Sequence, residues 1–286
     1  MPPRVRQQTR AWRIRLSRLL GHDIYWLDPA LDLAVITGGA GGLGRELTSI
    51  LVSKGILVAV LDIHNPSPVD RIIGAQYYIC DVSNKDQVEQ VVNEIRIRHG
   101  TPTILVNNAG IMKGKPLINL AYKEIRDTID INLMSSFITI KALLPGMLQR
   151  KRGYIVTVGS VLGYVSPAKL SAYGASKSGL MSLHESLTYE LGGPLNITEK
   201  GVHTLLVCPG QLRTHLFRSV QTPSRLIAPV LEPRHVAYRI VRAIDRSQVG
   251  DLKLPFYVQF IPFLRVLPWP IVMVARALSG MDGAVS

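Results

Sequence analysis

The sequence predicts an α/β fold: a doubly wound, mostly parallel sheet in a single domain, followed by an apolar carboxyl-terminal extension. Three observations carry that expectation. Short apolar runs, among them Leu31 to Ile36 and Ile56 to Leu61, have the pattern of strands buried on both faces. Segments of helical periodicity lie between such runs, as with Val88, Val91, Val92 and Ile95 inside Asp86 to His99. Strands and helices alternate along most of the chain, which calls for crossover connections and so for a parallel sheet.

Composition sets the bounds. The 286 residues are 47% hydrophobic with a mean hydropathy of +0.20, enough for a large core. Cys80 and Cys208 show neither metal spacing nor a disulfide framework, which points to a reducing compartment. The formal charge is +13. A basic excess suits nucleic acid, an anionic membrane or an anionic ligand. Nearly half of it comes from Arg4, Arg6, Arg10, Arg13, Arg15 and Arg18, all before the first acid, Asp23. Trp12, Leu16, Leu19 and Leu20 recur among them at helical spacing. Residues 1–30 therefore read as a basic arm whose helix can lie on an anionic bilayer. A disordered basic tail and a mitochondrial targeting segment are the alternatives.

The first strand, Leu31 to Ile36, leads into Thr37-Gly38-Gly39-Ala40-Gly41-Gly42-Leu43-Gly44 and then a helix from Arg45 to Lys54. Strand, glycine turn and helix together form a phosphate-binding context. Glycines let backbone approach a pyrophosphate, and a helix start supplies free N–H groups. The second strand ends in Asp62, about twenty residues on, where a carboxylate can accept from both adenosine-ribose hydroxyls. It would repel a 2′-phosphate, so NAD(H) is favoured over NADP(H). Arg45 and His64 are the cations close enough to argue otherwise. Tyr77 to Cys80 is a third strand, followed by Asp81 and Val82. Ile104 to Val106 is a fourth, ending in Asn107-Asn108-Ala109-Gly110. All these motifs fall beyond the carboxyl ends of strands, where such sheets bind ligands.

In the second half, Ile118 to Arg126 and Ile131 to Arg150 read as two helices. Asn132 stands near the start of the second, and Pro145 is expected to kink or break it. Tyr154 to Val158 is a fifth strand, ending at Gly159-Ser160. A helix with Tyr173 and Lys177 on one face follows. An ammonium near a phenol lowers the phenol pKa and fits it for acid–base work near neutral pH. Val202 to Val207 is a sixth strand, closed by Cys208-Pro209-Gly210. His184 and His203 read as structural, and Met112, Lys113 and Lys115 as surface.

Thr37-Gly38 with Gly42 and Gly44, Asp62, Asn107 to Gly110, Asn132, Ser160, Tyr173 with Lys177, and Pro209-Gly210 with Thr214 occur in one order. In these motifs the chain resembles the classical short-chain dehydrogenase/reductases, over about residues 31–250. Leu144 to Leu148, Gly153 to Val158 and His184 to Thr188 are similar to the branch of membrane- and lipid-droplet-associated retinol and 17-beta-hydroxysteroid dehydrogenases. The resemblance implies a Rossmann-type fold and roles for single residues. Tyr173 would be general acid/base, with Lys177 lowering its pKa and binding the nicotinamide ribose. Ser160 would hold the substrate oxygen, and Asn132 a water relaying protons to Lys177. Thr37, Gly38, Gly42, Leu43, Gly44 and Asp62 would hold the adenosine pyrophosphate, Asp81 and Val82 the adenine. Asn108, Ala109, Gly110, Pro209, Gly210 and Thr214 would complete the cofactor site. It also implies a homodimer or tetramer.

Residues 211–233 read as an apolar substrate lid carrying Leu212, Leu216, Phe217, Leu226 and Ile227, or as an ordinary crossover. Residues 251–286 form an apolar extension broken by Pro255, Pro262, Pro268 and Pro270 and interrupted by Arg265 and Arg276. That composition opposes a spanning helix and suits short interfacial helices, with Tyr257 and Trp269 at headgroup depth. A dimer contact, or packing beside the active site, is the competing reading. The chain is thus expected to be an NAD(H)-dependent oxidoreductase for a hydrophobic alcohol or carbonyl compound, steroid-, retinoid- or long-chain-like. Peripheral contact with the endoplasmic reticulum membrane or a lipid droplet goes with it, a cytoplasmic location otherwise, and no nucleic-acid partner. A soluble NADPH-dependent ketoreductase and a silent nucleotide-binding regulator are the rivals. Cofactor preference discriminates the first, and turnover the second.

Overall fold

A computed structural model describes residues 25–193, 200–218, 220 and 228–285. The basic arm and the lid residues Leu226 and Ile227 lie outside the described residues. The order of elements is β1 (Leu33–Thr37), α1 (Gly42–Ser53), β2 (Leu57–Asp62), β3 (Ala75–Ile79), α2 (Lys85–His99) and β4 (Ile104–Asn107). Then come α3 (Tyr122–Ile129), α4 (Ser135–Gln149), β5 (Gly153–Val158), α5 (Ser171–Glu190), β6 (Val202–Pro209), α6 (Pro233–Ile244), β7 (Gly250–Leu254) and α7 (Trp269–Ser279).

The seven strands form one sheet in the order β3-β2-β1-β4-β5-β6-β7, with every neighbour parallel. Alternate residues of each strand feed opposite faces. Ala34 and Ile36 pack with Leu43, Leu47 and Leu51 of α1 and Val236 and Ile240 of α6. Leu33 and Val35 pack with Val88, Val92 and Ile95 of α2, Leu143 and Met147 of α4 and Leu187 of α5. Helices cover both faces of the five inner strands, which are buried and largely apolar rather than alternating, whereas the edge strands β3 and β7 are partly exposed. The strand order reverses between β1 and β4, and that switch point is where a crevice opens.

Four expectations need correction. The two helices expected around Ile118 to Arg150 are one continuous run over Tyr122–Gln149, joined by a π-helical turn at Asp130–Met134. That run is long and apolar enough to cross a membrane by length and composition, yet its Leu143 and Met147 sit in the core. Pro145 does not break it. A proline inside a helix costs about 3 kcal/mol. Burying each of two flanking side chains, Leu143 and Met147, returns roughly 1.5–3 kcal/mol. The boundary at 250/251 also moves, because β7 pairs with β6 and the extension starts at Pro255. Finally, residues 25–30 belong with the main body rather than the arm.

The reason for that last correction is Asp32, a break in the first apolar run. Its side chain is fully buried, and Arg152 grips it with two bonds, Nε to Oδ1 at 2.9 Å and Nη2 to Oδ2 at 2.8 Å. The Tyr25 and Thr103 hydroxyls each donate to Oδ1 at 2.8 Å, and the Asp28 amide donates to Oδ2 at 2.8 Å. Arg152 also donates to the Trp26 carbonyl and lies 4.5 Å from the Tyr25 ring centroid. This knot ties the starts of β1, β4 and β5 together at the end of the sheet opposite the crevice. Asp32→Ala strands a buried guanidinium, so urea unfolding should show a loss of about 3–5 kcal/mol. NADH binding below the transition should be unchanged.

Candidate active site

The glycine turn sits at the switch point. Gly38 has φ +64°, and a Cβ on it would lie 2.9 Å from Ala109 Cα. A Cβ on Gly44 would lie 2.2 Å from the Gly38 carbonyl oxygen, so only glycine lets α1 press against the turn. The Thr37 hydroxyl accepts from the Asn108 and Ala109 amides, both at 3.0 Å. Asn108 Nδ2 donates to the carbonyls of Thr37 and Gly38, both at 3.0 Å. Thr37 and Gly44 therefore build the turn from behind and do not line the crevice.

The start of α1 is open to an anion. Gly41 caps it without a side-chain bond, its first turn holds no acid, and nothing lies within 4 Å of where a Gly41 Cβ would be. Its first N–H groups face the crevice, together with the positive end of the helix dipole. Asp62 closes β2 with Oδ2 accepting from the Ala40 amide at 3.0 Å and Oδ1 from the His64 amide at 2.9 Å. Asp81 accepts from the Ser83 amide and hydroxyl. Asp62, Asp81 and Val82 all line this end of the crevice.

At the other end stand Ser160, Tyr173 and Lys177, all almost wholly buried. Ser160 caps a short 3-10 turn, Val161–Gly163, and its Oγ accepts from the Leu162 amide at 3.1 Å. Lys177 Nζ donates to the Val158 carbonyl at 2.9 Å and lies 5.9 Å from the Tyr173 ring centroid. The expectation that Lys177 brings the Tyr173 pKa down is not met here. Burial pushes Tyr173 up to about 12, against a hydrogen bond from Ser160 that lowers it. Burial also pulls Lys177 down to about 8.

Asn132 lies inside the π-helical turn, and its side chain is fully engaged. Oδ1 accepts from the Ile111 amide at 2.8 Å, while Nδ2 donates to the Ile111 carbonyl at 2.9 Å and to Ser176 Oγ at 3.0 Å. It does not line the crevice. Gly110, which does line it, links the two groups: a Cβ there would lie 3.2 Å from Asn132 Oδ1 and 3.8 Å from Lys177 Nζ. Gly210 faces away, donating to the Leu254 carbonyl at 2.6 Å with the Tyr257 hydroxyl over it. Tyr257 is thereby held inside rather than at a headgroup depth. Thr214 reaches the glycine turn, 3.2 Å from where a Gly42 Cβ would be. Phe217, from the lid, meets the Tyr173 ring edge-on at 6.5 Å.

His184 and His203 are buried core side chains, and Lys115 pairs on the surface with Glu124 at 2.7 Å. The sequence reading missed Ala40, Ile63, Ile111 and Ile131 as lining residues. Each adjoins a recognised motif, and that adjacency was the available signal.

The crevice holds about 710 Å³ and runs from Asp62 past Gly38, Gly42, Leu43, Asn108 and Ala109 to Ser160, Tyr173, Lys177, Pro209 and Thr214. Its size suits one extended organic ligand. Uncapped amides midway along it and a carboxylate at one end fit a dinucleotide.

Comparison with known proteins agrees. The family model described as short chain dehydrogenase matches residues 32–224. An oxidoreductase of Saccharomyces cerevisiae is 35% identical over 256 residues, covering 88% of this chain and 83% of its own. Estradiol 17-beta-dehydrogenase 11 of Macaca fascicularis is 32% identical over 243 residues, covering 82% and 78%. Among solved structures, a short-chain dehydrogenase from Streptomyces avermitilis superposes with a TM-score of 0.71 at 24% identity, covering 86% of this chain and 96% of that one.

The Lys177 shift has a measurable consequence. Unfolded, the amine keeps its proton to about its ordinary 10.5; folded, it releases it near 8. Between those values the unfolded chain binds more protons, so stability rises with pH. Lys177→Met should lack that rise. The difference between parent and variant in urea stability should change by up to about 3 kcal/mol from pH 7.5 to 10.5.

Proposed function

Since the chain belongs to the short chain dehydrogenase family and is a nicotinamide-dependent oxidoreductase, we propose that it moves a hydride between NAD(H) and an apolar alcohol or carbonyl compound. Steroid-, retinoid- and long-chain-like substrates fit this reading. The observation that carries it is the placement of Ser160, Tyr173 and Lys177 at one end of a crevice whose other end is Asp62. A bound nicotinamide supplies or accepts the hydride. The protein handles the proton and the oxygen charge. In reduction the Tyr173 hydroxyl gives its proton to the substrate oxygen, and in oxidation the phenolate takes it back. The Leu162 amide fixes the Ser160 oxygen as an acceptor, which leaves the Ser160 proton for the substrate oxygen or for Tyr173. Lys177 offsets the phenolate charge inside a site that excludes water.

Asp62 favours NAD(H), because a second phosphate there would face a carboxylate already fixed by the Ala40 and His64 amides. A relative named for a steroid alcohol supports an apolar substrate class. The extension supports a lipid-facing location, the endoplasmic reticulum membrane or a lipid droplet. It exposes Phe256, Phe260, Phe263, Trp269, Met273, Val274 and Leu278. Large apolar side chains exposed along one segment suit contact with lipid. Self-association as a homodimer or tetramer belongs to the same proposal.

Tyr173→Phe should cut turnover of steroid, retinoid or long-chain alcohols by about 10²–10⁴-fold while NADH fluorescence still reports binding. Activity surviving in the variant would overturn the assignment. Asp62→Ala should raise the ratio of NADP⁺ to NAD⁺ use by about tenfold or more, the worth of roughly one lost charge contact. Flotation with anionic liposomes should recover the parent, and Trp269→Glu with Val274→Glu should stay at the bottom of the gradient.

A further inference from the structure

Residues 1–24 carry six arginines and one acid, a net +5, so +8 of the total +13 lies on residues 25–286. Much of that gathers on α6. The helix holds Arg234, His235, Arg239 and Arg242, with Arg246 one turn beyond, and contains no acid. Its Val236, Ala237, Ile240 and Val241 are buried and pack with Leu47 and Leu51 of α1. The basic residues take the opposite face. His235, Arg239, Arg242 and Arg246 recur at i, i+4, i+7 and i+11, which is one side of a helix, and Arg234 flanks them. All are exposed except Arg239, which is half-buried. The row is roughly 17 Å long at the rise of a helix.

This stripe is not neutralised by the body. Among the described residues, Arg234, Arg239, Arg242 and Arg246 have neither an ion pair nor a side-chain hydrogen bond. The acids at its two ends are already held. Glu232 pairs with Arg213 at 2.9 Å, and Asp245 with Lys54 at 3.8 Å. Glu46 of α1 pairs with Arg45 at 3.9 Å. Like charges one turn apart repel, so the row lowers helix stability until an anionic surface meets it. Tyr238 stands in its middle, 54% exposed, and an amphipathic ring of that kind suits headgroup depth.

The arm joins the body at the same place. The Leu27 amide donates to Asp245 Oδ1 at 3.3 Å, and the Ser247 hydroxyl donates to the Tyr25 carbonyl. The chain that carries Arg4 to Arg18 therefore meets the body beside Arg242 and Arg246. Trp12, Leu16, Leu19 and Leu20 alternate with those arginines in sequence. A bilayer takes up such apolar residues along with the charge.

We propose that the Arg234 to Arg246 stripe docks on an anionic phospholipid surface and makes membrane binding depend on lipid charge. This goes beyond the reading above, which places lipid contact on the apolar extension; the stripe is a different element and acts through charge. A fluid headgroup layer offers a phosphate or carboxylate wherever a guanidinium stands, so a plain row on a convex helix is enough. Each arginine at such a surface contributes roughly fivefold to partitioning.

The test floats full-length protein with vesicles of phosphatidylcholine alone and of equal parts phosphatidylcholine and phosphatidylserine. The parent should prefer the anionic vesicles by about tenfold or more and lose that preference at high salt. Arg239→Gln, Arg242→Gln and Arg246→Gln together should lower partitioning onto anionic vesicles on the order of 100-fold, with less than about a twofold change on neutral ones. Lys85→Gln, Lys123→Gln and Lys141→Gln together remove the same charge from exposed positions on other helices and should stay within about threefold of the parent. NADH affinity and melting temperature report that each variant is folded. A parent without preference, an arginine variant within about threefold of it, or a lysine variant that falls equally far would overturn the stripe. Single-stranded RNA that displaces the parent from anionic vesicles, and does so only with the arginines present, would assign the stripe to nucleic acid instead. Neutral-vesicle binding that survives in Trp269→Glu with Val274→Glu would sink the role of the extension alone.

Discussion

Where β1 and β4 end side by side, a threonine hydroxyl and an asparagine amide make four hydrogen bonds between them. Thr37 accepts from two amides at the end of β4, and Asn108 donates to two carbonyls of the glycine turn. Helix α1, β2 with Asp62, and the loop with Gly110 all take their positions from that junction. A parallel sheet that reverses its winding leaves the two outgoing connections there pointing apart, and a crevice must open between them. The junction fixes how wide it opens. Gly38 and Gly44 then let backbone approach backbone closely enough for the α1 amides to stand at the crevice wall.

Burial does the chemical tuning at the far end. Tyr173 and Lys177 are both removed from water, which drives their pKa values apart, to about 12 and about 8. Burial in a low dielectric disfavours either ion, with the Lys177 nitrogen 5.9 Å from the Tyr173 ring centroid. The Val158 carbonyl holds the lysine nitrogen, and β5, which ends at Val158, leads directly to Ser160 two residues on. One strand end thus positions two of the three reacting side chains.

The extension inverts the usual arrangement of a surface helix. Its arginines donate to backbone carbonyls of the body, while Phe256, Phe260, Phe263, Trp269 and Leu278 are exposed. Hydrogen bonds to carbonyls hold it whatever the side chains of the loop are. The outward face is then free to be apolar, and the same latch ties that face to the loop between Ser160 and Tyr173. The exposed apolar face and the loop between Ser160 and Tyr173 are joined by the same hydrogen bonds.

The sequence alone determined six of the seven strands, helices α1, α2 and α5, the glycine turn, Asp62 and the order of Ser160, Tyr173 and Lys177. All are local patterns: period-3.6 or unbroken apolar runs, glycine spacing, and residues at strand ends. Tertiary structure alone decided the partners of Asp32, 120 residues from Arg152, since an acid in an apolar run reads as an interruption until its cation is placed. It also decided that Pro145 sits within a helix, because the packing of Leu143 and Met147 outweighs the local penalty. Gly210 and Thr37 carry the expected identities yet stand behind the crevice, because sequence order gives a residue's neighbourhood but not the direction it faces. Val285 shows the same limit most fully. No periodicity marks it, and its burial depends on an arginine nine residues earlier and on a loop more than a hundred residues away. Contacts between distant segments are set by how the layers pack, and local sequence holds no record of that.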